Sequence, residues 1–274
     1  MKQSKIYKIW SHLTSVLLTL VMLFPIYVMI LGSFRPGREI FSFKLLPWAG
    51  GLTLEGYRTL FSEQNFFRSY INTFISSVII TAAALLFAAM AGFALAKLHF
   101  PGRRAAFFFI ISTMMVPFSL LMLPLFIVIR EMHLMDSIWG VIIPSLPRAY
   151  GVFLVRQFMY SIPDDLIESA KMDGCSYRGI FRRIVLPLSK PILFTLATTI
   201  FLTSWNNYTW PLIAIQSREK RFLQVYVASF FQENLTRWDL IFASLCLSTI
   251  PTIFLFFVSQ RFLVEGIKTS GIKE

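Results

Sequence analysis

Long, mostly apolar runs alternate with short polar segments along almost the whole chain. About 20 apolar residues in an α-helix cross the roughly 30 Å hydrocarbon core of a bilayer, and six runs reach or approach that length. They cover residues 13–31, 70–96, 105–129, 138–155, 191–216 and 240–260. The pattern predicts a single all-α transmembrane domain over residues 1–274, with six spans and both termini on the same side.

The longest polar segment between two late runs covers residues 161–190. Pro163 suits a helix start, and Asp164 and Asp165 favour the positive end of the helix dipole. Gly174 can adopt the left-handed conformation that ends a helix, and Ser176 can cap the next one. The segment therefore predicts two short helices with an elbow between them.

The second of these helices has one apolar face at helical spacing, made of Tyr177, Ile180, Phe181, Ile184 and Val185. Three arginines lie away from that stripe, at positions 178, 182 and 183. Pro187 is expected to end the helix. A basic amphipathic helix between two spans should lie along the cytoplasmic headgroups, which leaves the first helix projecting into water.

The same segment resembles the EAA motif of ABC importer permeases, whose pattern is E-A-A, three residues, G, nine residues and I-x-L-P. Ser169 stands where alanine is usual, and Cys175 follows the glycine where alanine is common. The resemblance implies a type I ABC importer permease fold, in which this element is a coupling helix seated in a cleft of a separate ATPase subunit. The residues that match the motif and are implied to couple to the ATPase are Glu168, Ser169, Ala170, Asp173, Gly174, Ile184, Leu186 and Pro187.

Four other stretches resemble the carbohydrate-uptake branch of that family, which includes the maltose importer. They are Asn72-Thr73, FLVRQF at residues 153–158, SWNN at residues 204–207 and QRFLVEG at residues 260–266. The resemblance implies a homologous second permease, two ATPase subunits, an extracytoplasmic solute-binding protein and a carbohydrate substrate. It also makes the tail residues Leu263, Val264, Glu265 and Gly266 candidates for a second ATPase contact; the alternative is a frayed terminus.

Charge and composition fix the setting of the chain. It has 26 Lys and Arg against 14 Asp and Glu, a net charge of +12, and 56% hydrophobic residues. The basic residues occur between apolar runs, as topology signals do in membrane proteins, so the charge does not indicate a nucleic-acid binder. Fifteen Lys and Arg fall on the side of the termini and ten on the other side. This bias predicts cytoplasmic termini in a bacterial-type cell membrane.

Several chemical classes lack support in the sequence. No stretch matches G-x-x-x-x-G-K-[ST], and no nucleophile, base and acid stand in a catalytic arrangement, so no catalytic residue is assigned. ATP and magnesium are therefore expected on a partner ATPase, with no cofactor on this chain. The histidines at positions 12, 99 and 133 lie in separate segments, which argues against a metal site.

Two features could line a translocation path. Residues 204–210, SWNNYTW, are the most polar part of any predicted span, and Arg148 lies near the middle of the fourth. Polar groups at membrane depth need other helices or a watery cavity to satisfy them. The alternatives are an aromatic belt with helix–helix hydrogen bonds for the first feature and a snorkelling arginine for the second. The candidate pore residues are Arg148, Trp205, Asn206, Asn207, Tyr208 and Trp210.

These observations predict the permease subunit of an ATP-driven, binding-protein-dependent importer of sugars or oligosaccharides. A glycerophosphodiester or sugar-phosphate importer would have a similar permease. An ion-coupled secondary carrier is disfavoured because the six apolar runs contain no Asp or Glu. A non-transporting scaffold would leave SWNNYTW and the EAA spacing unexplained.

Overall fold

The computed structural model of the chain describes residues 5–40, 50–231 and 236–270, with the backbone alone for residues 5, 6, 9 and 261–270. All regular elements in these ranges are helical, and the ranges contain no strand. The α-helices are α1 (Lys5–Ser33), α2 (Glu55–Ser62), α3 (Gln64–Lys97), α4 (Arg103–Ser112), α5 (Phe118–Glu131), α6 (Ile138–Ile142), α7 (Ala149–Tyr160), α8 (Asp164–Met172), α9 (Tyr177–Ile180), α10 (Leu186–Leu188), α11 (Lys190–Trp205), α12 (Thr209–Ala214), α13 (Leu223–Ala228) and α14 (Trp238–Ser270). Short 3₁₀ turns occupy Thr113–Met115, Ile143–Ser145 and Arg218–Lys220, and a π-helical turn occupies Phe181–Val185.

Four helical stretches are long and apolar enough to cross a membrane, namely Trp10–Ser33, Gln64–Lys97, Ile138–Tyr160 and Trp238–Gln260. Two bent pairs reach that length only together, namely Arg103–Met115 with Phe118–Glu131, and Tyr177–Leu188 with Lys190–Trp205. The described residues thus provide four spans, or up to six if each bent pair is one span. This confirms the predicted all-α membrane class.

The third predicted span, residues 105–129, bends by 100° between its two helices. Pro117 causes the break, because it has no N–H to donate and disfavours the helical conformation of the residue before it. Val116 is accordingly extended, with φ −87° and ψ 114°. The fourth span is interrupted at Pro144, Pro147 and Arg148, as the sequence predicts, with Arg148 non-helical at φ −128° and ψ 86°.

The prediction of one continuous fifth helix over residues 191–216 is wrong. α11 ends at Trp205, and α12 begins only at Thr209. The Asn206 side-chain amide donates to the carbonyl oxygen of Leu202 at 2.9 Å. Asparagine competes in this way with backbone hydrogen bonds and favours helix ends. Pro211 then lies in the first turn of α12, where its missing N–H has no helical partner to lose.

The helix ends one residue after Pro187, within the uncertainty of a helix end, as predicted. α10 continues to Leu188, and the chain bends by 75° before α11. In a regular α-helix the ring of Pro187 would clash with the carbonyl group four residues earlier, at Arg183. That carbonyl belongs to the π-helical turn Phe181–Val185, whose wider winding accommodates the ring.

One compact unit consists of Met1–Phe67 with Tyr226–Ile250. Gly32 of α1 faces the ring of Phe242, where an added Cβ would lie 2.8 Å from the ring, so only glycine allows this approach. The Tyr57 hydroxyl donates to Ser33 Oγ at 2.8 Å and ties α2 to the end of α1. Burial raises the pKa of Tyr57 above its ordinary value.

The other unit consists of Arg68–Val225 with Pro251–Glu274. Its core is built on small residues of α3, including the buried Ala84 and Ala88. Gly92 of α3 lies against Val155 of α7, where an added Cβ would meet the valine side chain at 2.8 Å. Small residues let helix backbones approach closely, as the alanine-rich second run predicts. This unit holds residues 161–190, which we call the coupling segment after the family that they resemble, and the candidate pore residues.

Candidate functional site

The segment that resembles the EAA motif forms the predicted pair of helices. α8 follows Pro163 directly and carries Asp164 and Asp165 in its first turn, where carboxylates favour the helix dipole. The second helical stretch begins after Ser176, whose Oγ accepts a hydrogen bond from the Gly179 N–H at 3.3 Å. The predicted N-cap is therefore confirmed.

A tight elbow joins the two helices. Gly174 is left-handed, with φ 79°, as predicted. The N–H of Cys175 donates to Ala170 O at 2.9 Å, and the N–H of Gly174 donates to Lys171 O at 2.9 Å. These two bonds form a Schellman motif, which satisfies the last carbonyl groups of α8. The elbow is thus fixed by its own backbone hydrogen bonds.

α8 has a buried inner face and an exposed outer face. Ile167 and Ala170 are buried in the main core of their unit, whereas Glu168, Ser169 and the elbow residues Asp173 and Gly174 are exposed. Of the motif residues on α8, Ala170 therefore seats the helix, and the others present a surface.

Two apolar residues of that surface were not singled out from the sequence. Met172 is 89% exposed and Leu166 is 44% exposed. Exposed apolar side chains on a water-facing helix are characteristic of protein contact surfaces. The sequence alone could not show that they lie on the outer side of α8, because it did not show that Ile167 and Ala170 form the buried side. We call Leu166, Glu168, Ser169, Met172 and Asp173 the outer face of α8.

Lys97 anchors the start of α8. Its side chain is 2% exposed, and its Nζ lies 2.7 Å from Asp164 Oδ1. The same Nζ donates to the carbonyl oxygen of Ile162 at 2.5 Å. The hydrogen bond from Lys97 holds the pKa of Asp164 below its usual range. The last residue of α3 therefore grips the link between α7 and α8. No motif in the sequence pointed to Lys97.

The helix after the elbow packs into the core through part of its predicted stripe. Ile180 and Val185 are completely buried, and the ring of Phe181 lies 5.1 Å from that of Phe93 on α3. Tyr177, which belongs to the predicted apolar face, is 51% exposed and is not part of the buried contact. The Lys171 ammonium lies 5.0 Å from the Tyr177 ring, which keeps the tyrosine at the elbow. The three arginines of this helix are exposed.

The other motif residues on this helix have intermediate or high exposure. Ile184 and Leu186 are half-buried, and Pro187 is exposed. Ile184 packs against the main core, as Phe181 does. These residues therefore sit between the elbow and α11.

The candidate pore residues divide into two groups. Trp205 and Trp210 are 0% and 1% exposed, and the Trp210 Nε1–H donates to Gly140 O at 3.0 Å. Both indoles are therefore largely buried, and Trp210 also lines a cavity together with Arg148 and Asn207. The assignment of these residues to a translocation path stays a prediction. Asn206 and Tyr208 are exposed, and Asn207 is half-buried.

Arg148 and Asn207 line one cavity of about 560 Å³. Its wall also holds Ser145, Thr203 and several apolar side chains from α5 and from the breaks in the fourth and fifth runs. The Arg148 Nε donates to Ser145 O at 3.0 Å. The structure therefore brings together two residues that are 59 positions apart in the sequence.

Asp136 lies in the connection between α5 and α6 and holds the loop that follows α12. Its Oδ1 accepts hydrogen bonds from Gln216 N, Ser217 N and Ser217 Oγ at 2.9–3.0 Å, and Lys220 Nζ lies 3.3 Å from its Oδ2. These bonds, led by the Ser217 backbone N–H, lower the pKa of Asp136 to about 2. The loop after α12 is thereby stapled to the connection between α5 and α6.

Two further predictions concern the tail and metals. The backbone of Leu263, Val264, Glu265 and Gly266 continues α14, which ends at Ser270. The structure describes only the backbone at these four positions, so their contact with an ATPase stays a prediction. Within the described part of the chain, no group of three His, Cys, Asp or Glu side chains is placed to hold a metal ion.

Two curated relatives match nearly the whole chain. The arabinooligosaccharides transport system permease protein AraQ of Bacillus subtilis (strain 168) is 33% identical over 276 aligned positions, covering 99% of this chain and 98% of the relative. The sn-glycerol-3-phosphate transport system permease protein UgpE of Salmonella typhimurium is 31% identical over 270 positions, covering 96% of each.

A solved structure shares the fold. It belongs to a bacterial ABC transporter involved in the import of the acidic polysaccharide alginate, and the match has a TM-score of 0.83 at 26% identity, covering 96% of this chain and 99% of that one. Residues 84–269 match the family described as binding-protein-dependent transport system inner membrane component. This match covers more than half of the sequence and includes both the coupling segment and the cavity. The chain therefore belongs to the family of inner membrane components of binding-protein-dependent transport systems.

Proposed function

We propose that the chain forms half of the translocation pathway of an ATP-driven, binding-protein-dependent importer of sugars or oligosaccharides. Two relatives with sugar-type or polyol-phosphate substrates in their names, matched over nearly their full length, support this proposal. A homologous second permease would complete the pathway, and an extracytoplasmic solute-binding protein would deliver the substrate. Family membership favours this function over an ion-coupled carrier or a scaffold.

The outer face of α8 is the observation that carries the coupling mechanism. Glu168 is exposed and Met172 is 89% exposed, while Ile167 on the inner face is 3% exposed. A helix with a seated inner face and a mixed apolar and acidic outer face is suited to a cleft in another protein. In our proposal, that protein is one of two ATPase subunits, which bind ATP and magnesium.

Motion of α8 would reach the spans through contacts on its inner side. Lys97 links the start of α8 to α3, and Phe181 links the helix after the elbow to the same span. Close-packed contacts of this kind transmit displacement because side chains in a core cannot slide past one another freely. Closure of the ATPases would thus shift α3, α7 and α11 together and alternate access to the cavity.

The topology and the tail complete the proposal. The excess of Lys and Arg on the side of the termini supports cytoplasmic termini, on the side of α8 and of ATP. The helical backbone through Ser270 would extend the tail towards the ATPases, where residues 263–266 would make a second contact. The substrate remains within carbohydrates and their derivatives, with a sugar phosphate or polyol phosphate as the second candidate.

Uptake into vesicles tests this function. The chain and the other subunits of its gene cluster would be reconstituted with the binding protein outside and ATP inside, and labelled arabino-oligosaccharide and glycerol 3-phosphate offered separately. We expect ATP-dependent accumulation of one of them. Glu168→Lys should lower uptake at least about tenfold while basal ATP hydrolysis continues, because reversing a charge in a buried interface costs 2 kcal/mol or more.

Glu131→Lys is the matched control, since Glu131 also has an exposed side chain, 69%, and lies outside the coupling segment. Its uptake should stay near that of the unmodified protein. Equal uptake by the Glu168→Lys and unmodified proteins, at equal abundance in the vesicles, would remove Glu168 from the coupling surface. Uptake that ignores ATP would overturn the importer function itself.

A further inference from the structure

The cavity around Arg148 has a composition that the carbohydrate-importer function alone does not require. Its volume is about 560 Å³, and its walls are mostly proline, leucine and aromatic side chains. The polar groups in the lining are Arg148, Ser145, Thr203 and Asn207. A mostly apolar cavity with a few convergent polar groups is the usual form of a small-molecule site. Here the only charged residue in the described lining is a cation.

Arg148 lacks an acidic partner within the described part of the chain. Its recorded hydrogen bond runs from Nε to Ser145 O, which leaves both terminal nitrogens of the guanidinium available. None of the described residues that line the cavity is Asp or Glu. Arg148 lies near the centre of the span Ile138–Tyr160, where an uncompensated charge is expensive. The arrangement therefore calls for an anion from outside this chain.

The groups around Arg148 suit an oxyanion that is attached to a polar body. A guanidinium binds carboxylate and phosphate through two parallel N–H donors, which an ammonium cannot reproduce. The Asn207 amide can donate to or accept from the hydroxyl groups of the same molecule. The Thr203 Oγ1 donates its proton to Thr199 O at 3.0 Å and can accept a hydrogen bond from such a hydroxyl group. Proline and aromatic surfaces complete the wall, and such surfaces pack against the apolar faces of sugar rings.

Arg148 also lines a second cavity, of about 790 Å³, between α3, α4 and α7. Leu121 and Pro147 belong to both linings. An anion bound to Arg148 could therefore keep its charged partner while its body passes from one cavity to the other. Arg148, where the two cavities meet, would therefore attract anions on either side.

We infer that this cavity binds an anionic substituent of the transported molecule, a carboxylate or a phosphate ester, through the Arg148 guanidinium. The inference rests on the proposed importer function and narrows its substrate to acidic carbohydrates or polyol phosphates. A carboxylate of the second permease could instead supply the counter-charge, and the test below separates that outcome.

The electrostatic potential in the cavity can be tested without a transport assay, through the reactivity of a cysteine introduced there. Thr203→Cys would be introduced into the complete reconstituted importer, with the protein that lacks this change as the background for labelling. The rates of modification by an anionic and a cationic methanethiosulfonate would be compared. We expect the anionic reagent to react faster, because Arg148 lines the same cavity as Thr203. Arg148→Gln should slow this reagent about tenfold, since removing a nearby positive charge removes its attraction for the anion.

Protection by small anions identifies the class of ligand. Glucuronate tests for a carboxylate, glycerol 3-phosphate tests for a phosphate ester, and arabinose is the neutral probe. We expect one of the two anions to protect Cys at position 203, Arg148→Gln to abolish that protection, and Arg148→Lys to retain part of it. Arg130→Gln is the matched control, because Arg130 is an exposed cation outside the cavity.

Three outcomes would overturn the inference, and a fourth would overturn the proposed function. Equal reaction with both reagents would mean that Arg148 is already neutralised within the assembly, as a partner carboxylate would do. Protection by arabinose alone would make the cavity a neutral sugar site. If the Arg148→Gln importer still accumulates its substrate at the unmodified rate, the anionic site is refuted while the importer function stands. Absence of any ATP-dependent uptake by the unmodified complex would instead refute the proposed function.

Discussion

Lys97 shows how much one side chain can determine at the joint between a span and a water-facing helix. It ends α3 with a side chain that is 2% exposed, while its partner Asp164 is 75% exposed. An ion pair with one exposed member contributes little, because water screens it and solvates the free carboxylate. The hydrogen bond to Ile162 O is different, since it satisfies a carbonyl group at the end of α7. We therefore assign the main contribution of Lys97 to that carbonyl.

Lys97→Met should lower the free energy of unfolding by about 1–3 kcal/mol, the cost of leaving a buried acceptor without its donor. Asp164→Asn should cost less than about 1 kcal/mol, as expected for an exposed pair. Thermal unfolding of the purified complex measures both changes, and Lys190→Met, at an exposed position, is the control. The reverse order of the two effects would show that the ion pair dominates.

The pH dependence of this contact follows from the same geometry. The pKa of Asp164 is lowered in the folded protein by the hydrogen bond from Lys97. Its contribution is therefore complete above the ordinary pKa of an aspartate and is lost as the pH falls through the lowered value. Since the Asp164 side chain is 75% exposed, this loss should be small.

At the scale of elements, the breaks in the helices separate what the sequence could predict from what it could not. Gly174, Ser176 and Pro144 act through their own backbone preferences, so the elbow and the interrupted fourth span were predictable. The end of α11 at Trp205 was not, since an Asn-Asn pair in an apolar run breaks a helix only when other elements compensate. Those elements are remote in sequence: Trp210 bonds to Gly140, 70 residues away.

The sequence could not predict which aromatic residues are buried, for a related reason. Trp205 and Tyr208 lie three positions apart in one polar stretch, yet Trp205 is 0% exposed and Tyr208 is 41% exposed. In a membrane protein, an aromatic ring can face lipid, core or cavity without changing the local pattern. The rings of Tyr70 and Phe201, 5.2 Å and 5.9 Å from that of Trp205, show that this indole packs in the core.

The Asp136 staple gives a prediction for the loop after α12. Asp136 has a left-handed φ of 54°, which Asn tolerates and Ala does not. Asp136→Ala should therefore release the loop, and trypsin should cleave at Arg218, Lys220 or Arg221 at least about tenfold faster. The loss of hydrogen bonds to a charged acceptor destabilises the closed loop by roughly 1.5 kcal/mol or more. Since about 1.4 kcal/mol changes the population of the open loop tenfold, the cleavage rate should rise by at least that factor.

Asp136→Asn is the matched variant, since it keeps the backbone conformation and one accepting oxygen; its cleavage rate should lie between those of the Ala variant and the unmodified protein. The pKa of Asp136 is about 2 in the folded state against an ordinary 3.8. The staple should therefore be fully formed above about pH 4 and weaken as the pH falls towards 2. An unchanged cleavage rate in Asp136→Ala would mean that other contacts hold the loop.

At the scale of the molecule, α3 connects the coupling end of its unit to the loop that follows α12. Lys97 lies at one end, and near the other Thr73 Oγ1 accepts a hydrogen bond from Leu223 N at 2.7 Å. Asn72 Nδ2 donates to the carbonyl oxygen of Glu219, in the same loop, at 3.2 Å. The 26 residues from Asn72 to Lys97 span about 39 Å as an α-helix, at 1.5 Å per residue. A single continuous helix therefore reaches both the coupling segment and the staple.

Such a connection has meaning only if α8 meets an ATPase, and native Cys175 offers a direct test. It is a free, half-buried thiol at the elbow, adjacent to Gly174. Membranes that contain the complete importer would be treated with a short thiol crosslinker, with single cysteines placed around the cleft of the ATPase. We expect a crosslink whose yield changes when ATP is added, because in the proposed mechanism closure of the ATPases would move the elbow.

Cys175→Ala should abolish this product, whereas Cys246→Ala should leave it unchanged, because the Cys246 Sγ contacts Met29 O at 3.6 Å on α1 and takes no part in the elbow. A product that persists in Cys175→Ala would come from another site. If Cys175 reacts with a soluble maleimide but never crosslinks to the ATPase, the outer face of α8 does not lie in the cleft. A crosslink that forms equally with and without ATP would leave α8 docked but motionless, and the drive for alternating access would then have to enter through the tail after Gln260.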